Sequence, residues 1–348
     1  MLSVSNLLCD AESGTERLRY GHRASDAAAD PTPKPVVVWA LTAACNLRCV
    51  HCYASASPGP APNELTDDEG RRLLDDLAAF GVPAVLFSGG EPLARPSALA
   101  LLRYARSVGL RCTLSTNGLL VTDAVADDLA AAGVQYVGIS IDGTPARHDR
   151  LRGRHGAFEG SVAAIDRCRR AGLKVGVRFT VHALNRDDLD AVFELCDEHG
   201  VDRLCVYHLA YAGRGQRLAR ADLTSEQTRD VVDRVFARVI ANWAAGRRLE
   251  VLTVGNHADA AYLLWTLERT DPARAADVWD RLHGTGGNRS GQNIAAVDPA
   301  GGIHYDQFSW HHTCGNVRDE PFSSTWPTGD WLGADPGCYL PAEAFAPA

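Results

Sequence analysis

Three cysteines stand within eight residues, Cys45, Cys49 and Cys52, spaced C-x3-C-x2-C. They follow directly on the apolar run Val36-Val37-Val38-Trp39-Ala40-Leu41, which reads as a buried strand. A loop this dense in thiols at a strand's end can hold metal at the mouth of a parallel sheet. A closed tetrahedral zinc site wants a fourth Cys or His ligand close by. His51 sits too near Cys52 in sequence to complete one comfortably. An iron–sulfur cluster is held by thiolates, and three of them leave one iron open to a ligand that is not protein. The bland alternative is three buried free thiols.

Ten cysteines in 348 residues, three of them clustered, point to metal binding in a reducing, cytoplasmic setting rather than to a disulfide framework. The formal net charge of −8 argues against nucleic acid as a partner. No apolar run approaches the length of a membrane span. Residues 1–34 are rich in Ala, Asp, Pro and Arg and lack the apolar core of a signal peptide. They read as a mobile arm, or as a flap that orders over bound substrate.

Past the thiol loop, strand-length apolar runs alternate with amphipathic helical stretches. Thr66-Asp67-Asp68-Glu69 is a helix start with an N-cap and a capping-box acid. Leu73, Leu74, Leu77 and Phe80 then share one face, and Gly81 ends the helix. Further strands are expected over 84–87, 111–115, 136–141, 174–181 and 203–208, and helices over 97–108, 123–132, 158–171, 187–199 and 224–245. Six βα units in a row imply a parallel sheet with right-handed crossovers. The expected fold is α/β: a partial (β/α)6 TIM-like barrel, open on one side, over residues 35–246. A small α+β domain is expected over 247–348. In such folds the chemistry sits at the C-terminal ends of the strands.

Polar residues gather at those ends. The second strand closes in Ser88-Gly89-Gly90-Glu91-Pro92, where two glycines let the backbone approach a ligand and a carboxylate can accept from an ammonium group. The third closes in Ser115-Thr116-Asn117-Gly118 and the fourth in Ser140-Ile141-Asp142-Gly143. Both are also ordinary turn chemistry. His148-Asp149-Arg150-Leu151-Arg152-Gly153-Arg154 reads locally as a solvated basic loop. Arg178 and Thr180, and Tyr207 and His208, interrupt the apolar fifth and sixth strands. A buried Arg or His is costly unless paired or facing a ligand. His208 could equally be a hydrogen-bonded core histidine.

The C-x3-C-x2-C spacing with Tyr53 beside the last cysteine resembles the signature of the radical S-adenosylmethionine (radical SAM) family. The resemblance implies a [4Fe–4S] cluster on Cys45, Cys49 and Cys52 whose fourth iron chelates SAM. It implies a 5′-deoxyadenosyl radical as the reactive species, and a flavodoxin or ferredoxin as reductant. By the same resemblance Gly89, Gly90, Glu91 and Pro92 face the SAM amino group. Ser115, Asn117, Ser140 and Asp142 lie around its ribose and methionine, and Arg152 meets its carboxylate, a task that suits a bidentate guanidinium.

Further segments, Lys174-Val175-Gly176-Val177-Arg178-Phe179-Thr180, Tyr207 to Gly215, Val254 to Ala260 and Gly315-Asn316-Val317-Arg318, resemble the radical SAM proteins of heme d1 and alternative heme biosynthesis. That branch removes carboxylate-bearing side chains, or their carboxyl groups, from iron tetrapyrroles. Its members carry a cysteine-rich C-terminal segment for a second cluster, whereas here the region from Leu249 onward holds only Cys314 and Cys338. The domain therefore looks shortened (SPASM/twitch-like), and the chain also resembles small decarboxylases of nucleoside-antibiotic pathways that act on cytosylglucuronic acid. The expected activity is radical-initiated decarboxylation of a small acidic metabolite, most simply a sugar-acid nucleoside. Removal of tetrapyrrole carboxylates is the alternative, and a non-catalytic iron–sulfur sensor is the outsider. Arg178 and His208 are the candidate catalytic residues, with Arg214 and His257 as further partners for the substrate acid.

Overall fold

The computed structural model describes residues 1–10, 34–285 and 290–326. The chain opens on a short strand, β1 (Leu2–Ser3), that runs straight into a helix, α1 (Val4–Cys9). These ten residues are not a free arm. Val4 and Leu7 are buried in the main core, and the Ser5 hydroxyl accepts from the backbone N–H of Val251 at 3.0 Å. Arg274 donates to the carbonyls of Leu7 and Asn6 at 2.7 and 2.8 Å. The rest of the expected arm, residues 11–33, lies outside the described residues.

The expected alternation then appears. In order come β2 (Val36–Ala40), α2 (Asp67–Phe80), β3 (Val85–Ser88), α3 (Ala98–Ser107), β4 (Cys112–Thr116), α4 (Asp123–Ala131) and β5 (Tyr136–Ser140). They are followed by α5 (Pro145–Arg152), α6 (Ala157–Arg170), β6 (Val175–Val181), α7 (Leu189–Glu198), β7 (Arg203–His208) and α8 (Ser225–Ala244). Local chemistry sets the ends. Thr66 and Glu69 form the capping box of α2, and Gly81 closes that helix at a φ of 83°, a left-handed conformation favoured by glycine.

The parallel sheet runs further than six strands. β8 (Glu250–Val254) pairs in parallel with β7. Helices α9 (Ala258–Thr270) and α10 (Pro272–Thr285) lead to β9 (Ile294–Val297), which pairs in parallel with β2. β10 (Gly302–His304) and β11 (Gly315–Asn316) extend that edge antiparallel, and α11 (Phe322–Thr325) follows. The order is β1-β8-β7-β6-β5-β4-β3-β2-β9-β10-β11 in one open sheet. A division after residue 246 therefore cuts between paired strands.

Strand alternation sorts the two faces. Val37, Trp39, Val85, Phe87, Leu114, Val137, Ile139, Val177, Phe179 and Val206 are all buried in the core shared with the helices. The opposite face carries Ala40, Ser88, Ser115, Gly138, Ser140, Gly176 and Arg178, aligned by register. Small residues on that face leave room at the strand ends. If α1 is part of the core, Leu7→Ala should lower the unfolding free energy by about 2–4 kcal/mol in urea titration. A mobile arm would give no change.

Candidate active site

The thiol loop is anchored on three sides. On one, Gly90 N donates to Thr42 O at 2.7 Å and Glu91 N to Ala44 O at 2.8 Å. A side chain on Gly90 would collide with the Ala44 carbonyl, and Gly89 stands at a φ of +132°, so close backbone approach demands both glycines. On the second side, Cys45 N donates to Ser57 O at 2.7 Å, and Arg48 N and Val50 N donate to the carbonyls of Arg152 and Leu151 at 3.2 and 3.0 Å. On the third, Arg214 donates from Nε to Cys49 O at 2.8 Å and from Nη1 to Ala56 O at 2.7 Å. Arg214 thus clasps the loop through Nε and Nη1, while its Nη2 is buried without a hydrogen-bond partner.

Cys49 is buried, Cys45 and Cys52 are half-buried, and all three are free thiols packed with Leu47, Ala157 and Leu119. Leu47 N donates to Cys45 Sγ at 3.4 Å and Arg152 Nη1 to Cys49 Sγ at 3.5 Å. Burial pushes the Cys45 thiol up to about 11 and raises Cys49, where Arg152 opposes the rise. Among the described residues, no group of three or more His, Cys, Asp or Glu converges as a lone metal ion requires. A cube-shaped cluster gives each thiolate its own iron, so its ligands stand further apart. The chemistry of the donor set, three thiols with N–H donors aimed at two of the sulfurs, fits such a cluster.

Behind the loop lies a buried charged network. Asp142 is fully buried, with Arg152 Nη2 at 2.7 Å and His51 Nε2 at 3.1 Å from its Oδ2. Burial would raise its pKa, yet Arg152 and His51 hold it well below the usual carboxylate range. The backbone N–H of Asp142 donates to His148 Nδ1 at 3.0 Å, and burial lowers His148 to about 4. The segment whose bland reading was a solvated basic loop is helical as far as Arg152, the end of α5, with His148 and Arg152 buried. Arg152 spans from Asp142 to Cys49. Asp142 and Arg152, the two residues expected around SAM, thus lie directly behind the thiol loop and pair with each other there.

Glu91 is also fully buried. It accepts from Thr116 Oγ1 at 2.8 Å, Leu93 N at 3.1 Å and Asn117 N at 2.8 Å. Burial still pushes its carboxyl up to about 7. Pro92 opens the 3-10 turn that Glu91 caps. Asn117 Nδ2 donates to Asn46 Oδ1 at 2.7 Å, which ties the end of β4 to the thiol loop.

On the open face, Arg178 Nη1 donates to Ser115 Oγ at 2.6 Å, and its Nε is buried without a hydrogen-bond partner. The Tyr136 hydroxyl, which sequence reasoning missed, is likewise buried and unpartnered. Ser140 is in register with Arg178. Side chains on Gly138 and Gly176 would collide with Arg178 and Tyr136 respectively. Tyr53 Oη lies 3.3 Å from Ser88 Oγ. The Tyr53 ring meets Phe308 edge-on at 5.1 Å and Trp310 at 6.5 Å, so the segment after β10 covers this side. Its cue in the sequence was the run Phe308-Ser309-Trp310-His311-His312.

His208 does not join Arg178. It is in register with Val181, on the helix side, and pairs with buried Asp259 at 2.8 Å. That hydrogen bond is the feature the core-histidine reading called for, at a half-buried position. His257 caps α9 without a side-chain bond. Cys314 is half-buried with its thiol pushed up to about 11, and Cys338 lies outside the described residues.

The family model described as the radical SAM superfamily matches residues 39–196. The Fe-coproporphyrin III synthase of Methanosarcina barkeri is 43% identical over 331 residues, 94% of this chain and 83% of that protein. The pre-heme d1 synthase of Dinoroseobacter shibae is 42% identical over 306 residues, 87% of this chain and 76% of that protein. Among solved structures, Streptococcus suis SuiB bound to S-adenosylmethionine has a TM-score of 0.66 at 17% identity, covering 86% of this chain and 65% of that one. At that identity the likeness speaks for the fold alone.

The Glu91 carboxyl gives a pH signature. Its folded pKa, about 7, stands above its ordinary 4.5. The folded state therefore holds a proton that the unfolded state releases, and stability falls as pH rises across that window. In cluster-free protein the loss should reach about 3 kcal/mol, at about 1.36 kcal/mol per pH unit. Urea titrations between pH 4.5 and 8 measure it, and Glu91→Gln should flatten the slope.

Proposed function

The chain belongs to the radical SAM superfamily, and from that premise we propose that it removes carboxylate-bearing side chains, or their carboxyl groups, from an iron tetrapyrrole. The observation that carries this reading is the 43% identity to an Fe-coproporphyrin III synthase along 94% of the chain. The match to a pre-heme d1 synthase supports it. The sugar-acid nucleoside reading rested on the sparse C-terminal cysteines and on a resemblance to small nucleoside-antibiotic decarboxylases. The relatives favour the tetrapyrrole, and their names as synthases speak against a non-catalytic sensor.

Enzymes of this family use a [4Fe–4S] cluster and S-adenosylmethionine, which together supply a 5′-deoxyadenosyl radical that abstracts hydrogen. In the proposed site Cys45, Cys49 and Cys52 hold the cluster. Arg152, fixed by Asp142, supports the Cys49 thiolate with an N–H and a positive charge. Gly89, Gly90 and Pro92 shape the backbone next to the cluster loop. Glu91, half-protonated near neutrality when free, becomes a full carboxylate beside the SAM ammonium. Ser115, Asn117 and Ser140 line the same strand ends. Arg178, with one buried N–H unpartnered and Tyr136 nearby, receives the substrate carboxylate, because an unmet buried donor gains most from a charged acceptor. Tyr53, Phe308 and Trp310 offer ring edges to a flat macrocycle. His208 acts only through the packing of α9 against β7.

The test is anaerobic turnover by reconstituted, reduced protein, with 5′-deoxyadenosine and substrate products quantified. A siroheme-derived tetrapyrrole should stimulate cleavage and lose carboxylate, and a cytosylglucuronic acid-type nucleoside should not; the reverse pattern would overturn the reading. Cys49→Ala should abolish 5′-deoxyadenosine formation. Arg178→Ala should weaken tetrapyrrole binding about ten- to a hundredfold, the effect of losing about 1.5–3 kcal/mol from a charged hydrogen bond.

A further inference from the structure

We propose that Arg48, Val50, Arg150, Arg154 and His155 form the docking face for an acidic one-electron carrier protein of flavodoxin type. The inference rests on the radical SAM reading, which requires a reductant, and adds where that partner sits. These residues come from two segments stitched together by backbone. Arg48 N and Val50 N donate to the carbonyls of Arg152 and Leu151. Gly153, at a φ of +69°, turns the chain over the thiol loop so closely that a side chain there would lie 3.2 Å from the Arg48 carbonyl oxygen.

Arg48, Arg150, Arg154 and His155 are exposed, and no ion pair engages any of them among the described residues. Their neighbours differ: Arg147 pairs with Asp188 at 2.9 Å and Arg152 with Asp142. The one acid between Gly143 and Phe158 is Asp149. Its carboxylate is occupied by the backbone N–H groups of Gly156 and Phe158, at 2.6 and 2.9 Å, where it caps α6. Three arginines free of ion pairs among the described residues thus stand against the single carboxylate of Asp149, a local excess of positive charge in a chain whose net charge is −8.

At its centre Val50 is 38% exposed, an aliphatic contact directly beside buried Cys49. A carrier seated here stands one residue from a proposed cluster ligand. It would give up one electron and the cluster would gain it, with no atom transferred. Small polar interfaces with a charged rim suit transient redox partners, and the charge would appear mainly as a fast, salt-sensitive association.

The double variant Arg150→Glu/Arg154→Glu tests the face, since both side chains are exposed and neither is held by an ion pair among the described residues. Holoenzyme is mixed in stopped flow with a reduced acidic flavodoxin at low and high salt, and cluster reduction is followed. Photoreduced deazaflavin, a small molecule, is the parallel reductant. The expected result is a wild-type rate with flavodoxin that falls with salt, a variant rate at least tenfold lower at low salt, and equal deazaflavin-driven SAM cleavage in both. Should the double variant fail to fold, Arg150→Glu and Arg154→Glu singly should each slow flavodoxin alone by about threefold. A variant reduced by flavodoxin as fast as wild type would overturn the docking face. So would wild type that responds to deazaflavin but not to flavodoxin. Absence of SAM cleavage with deazaflavin in wild type would instead strike the radical SAM reading itself.

Discussion

Two stretches of backbone approach so closely that no side chain fits between them. Gly89 to Glu91, leaving β3, donates hydrogen bonds at 2.7 and 2.8 Å to the carbonyls of Thr42 and Ala44, leaving β2, with the α-carbon of Gly90 against the Ala44 carbonyl. Neighbouring parallel strands thereby hand their ends to one another. The cysteine loop starts from a fixed point on the sheet, not from a free hinge. Everything proposed for the site inherits that position: the thiols, the buried Glu91 and the turn that Pro92 opens.

Buried charge then orients the parts. An isolated ionised carboxylate inside a protein is unfavourable by several kcal/mol, so Asp142 is tolerable only because Arg152 and His51 stand within 2.7 and 3.1 Å. The same guanidinium reaches Cys49 Sγ. Removing either partner would leave the other uncompensated, so the acid, the base and the thiol behave as one unit. Glu91 resolves the problem differently, with neutral donors and a carboxyl raised to about 7. That leaves it responsive to a cation arriving beside it. Two buried carboxyls close to one loop thus have opposite character, one fixed and one adjustable.

Much of this was legible from local pattern. Six parallel strands follow from apolar runs of strand length separated by capped amphipathic helices, and the thiol spacing marks its own loop. What the pattern hid has physical causes. α5 contains one aliphatic residue of bulk, Leu151, and buries His148 and Arg152 through pairing with Asp142 and Cys49, which no apolar periodicity reports. β1 and α1 precede a stretch whose Ala, Asp and Pro content masks the short apolar run Leu7-Leu8. β8 and β9 are ordinary strands whose partners, β7 and β2, cannot be assigned from spacing. The faces of Arg178 and His208 could have been told apart, because alternation from Val206 sends His208 to the helix side while Arg178 shares its face with Cys205.

That difference of face bears on what the open side can accommodate. Along it the chain places glycine or small polar residues at Ser88, Ser115, Gly138, Ser140 and Gly176, and two large cations, Arg178 and, in register with Gly176, Arg203. Gly138 and Gly176 are needed because Arg178 and Tyr136 cross over them. The room made by small residues is therefore partly filled from within, by two groups whose Nε and hydroxyl end in buried, unmet hydrogen-bonding positions. Unmet polar groups of this kind destabilise the empty protein by about 1–3 kcal/mol each, a penalty that a ligand oxygen would remove. Beside Ser88, Tyr53 gathers Phe308 and Trp310 edge-on into an aromatic cluster. A substrate that joins a flat body to a carboxylate matches both sides at once; a tetrapyrrole and a sugar-acid nucleoside both do so, and what separates them is the likeness to the two synthases.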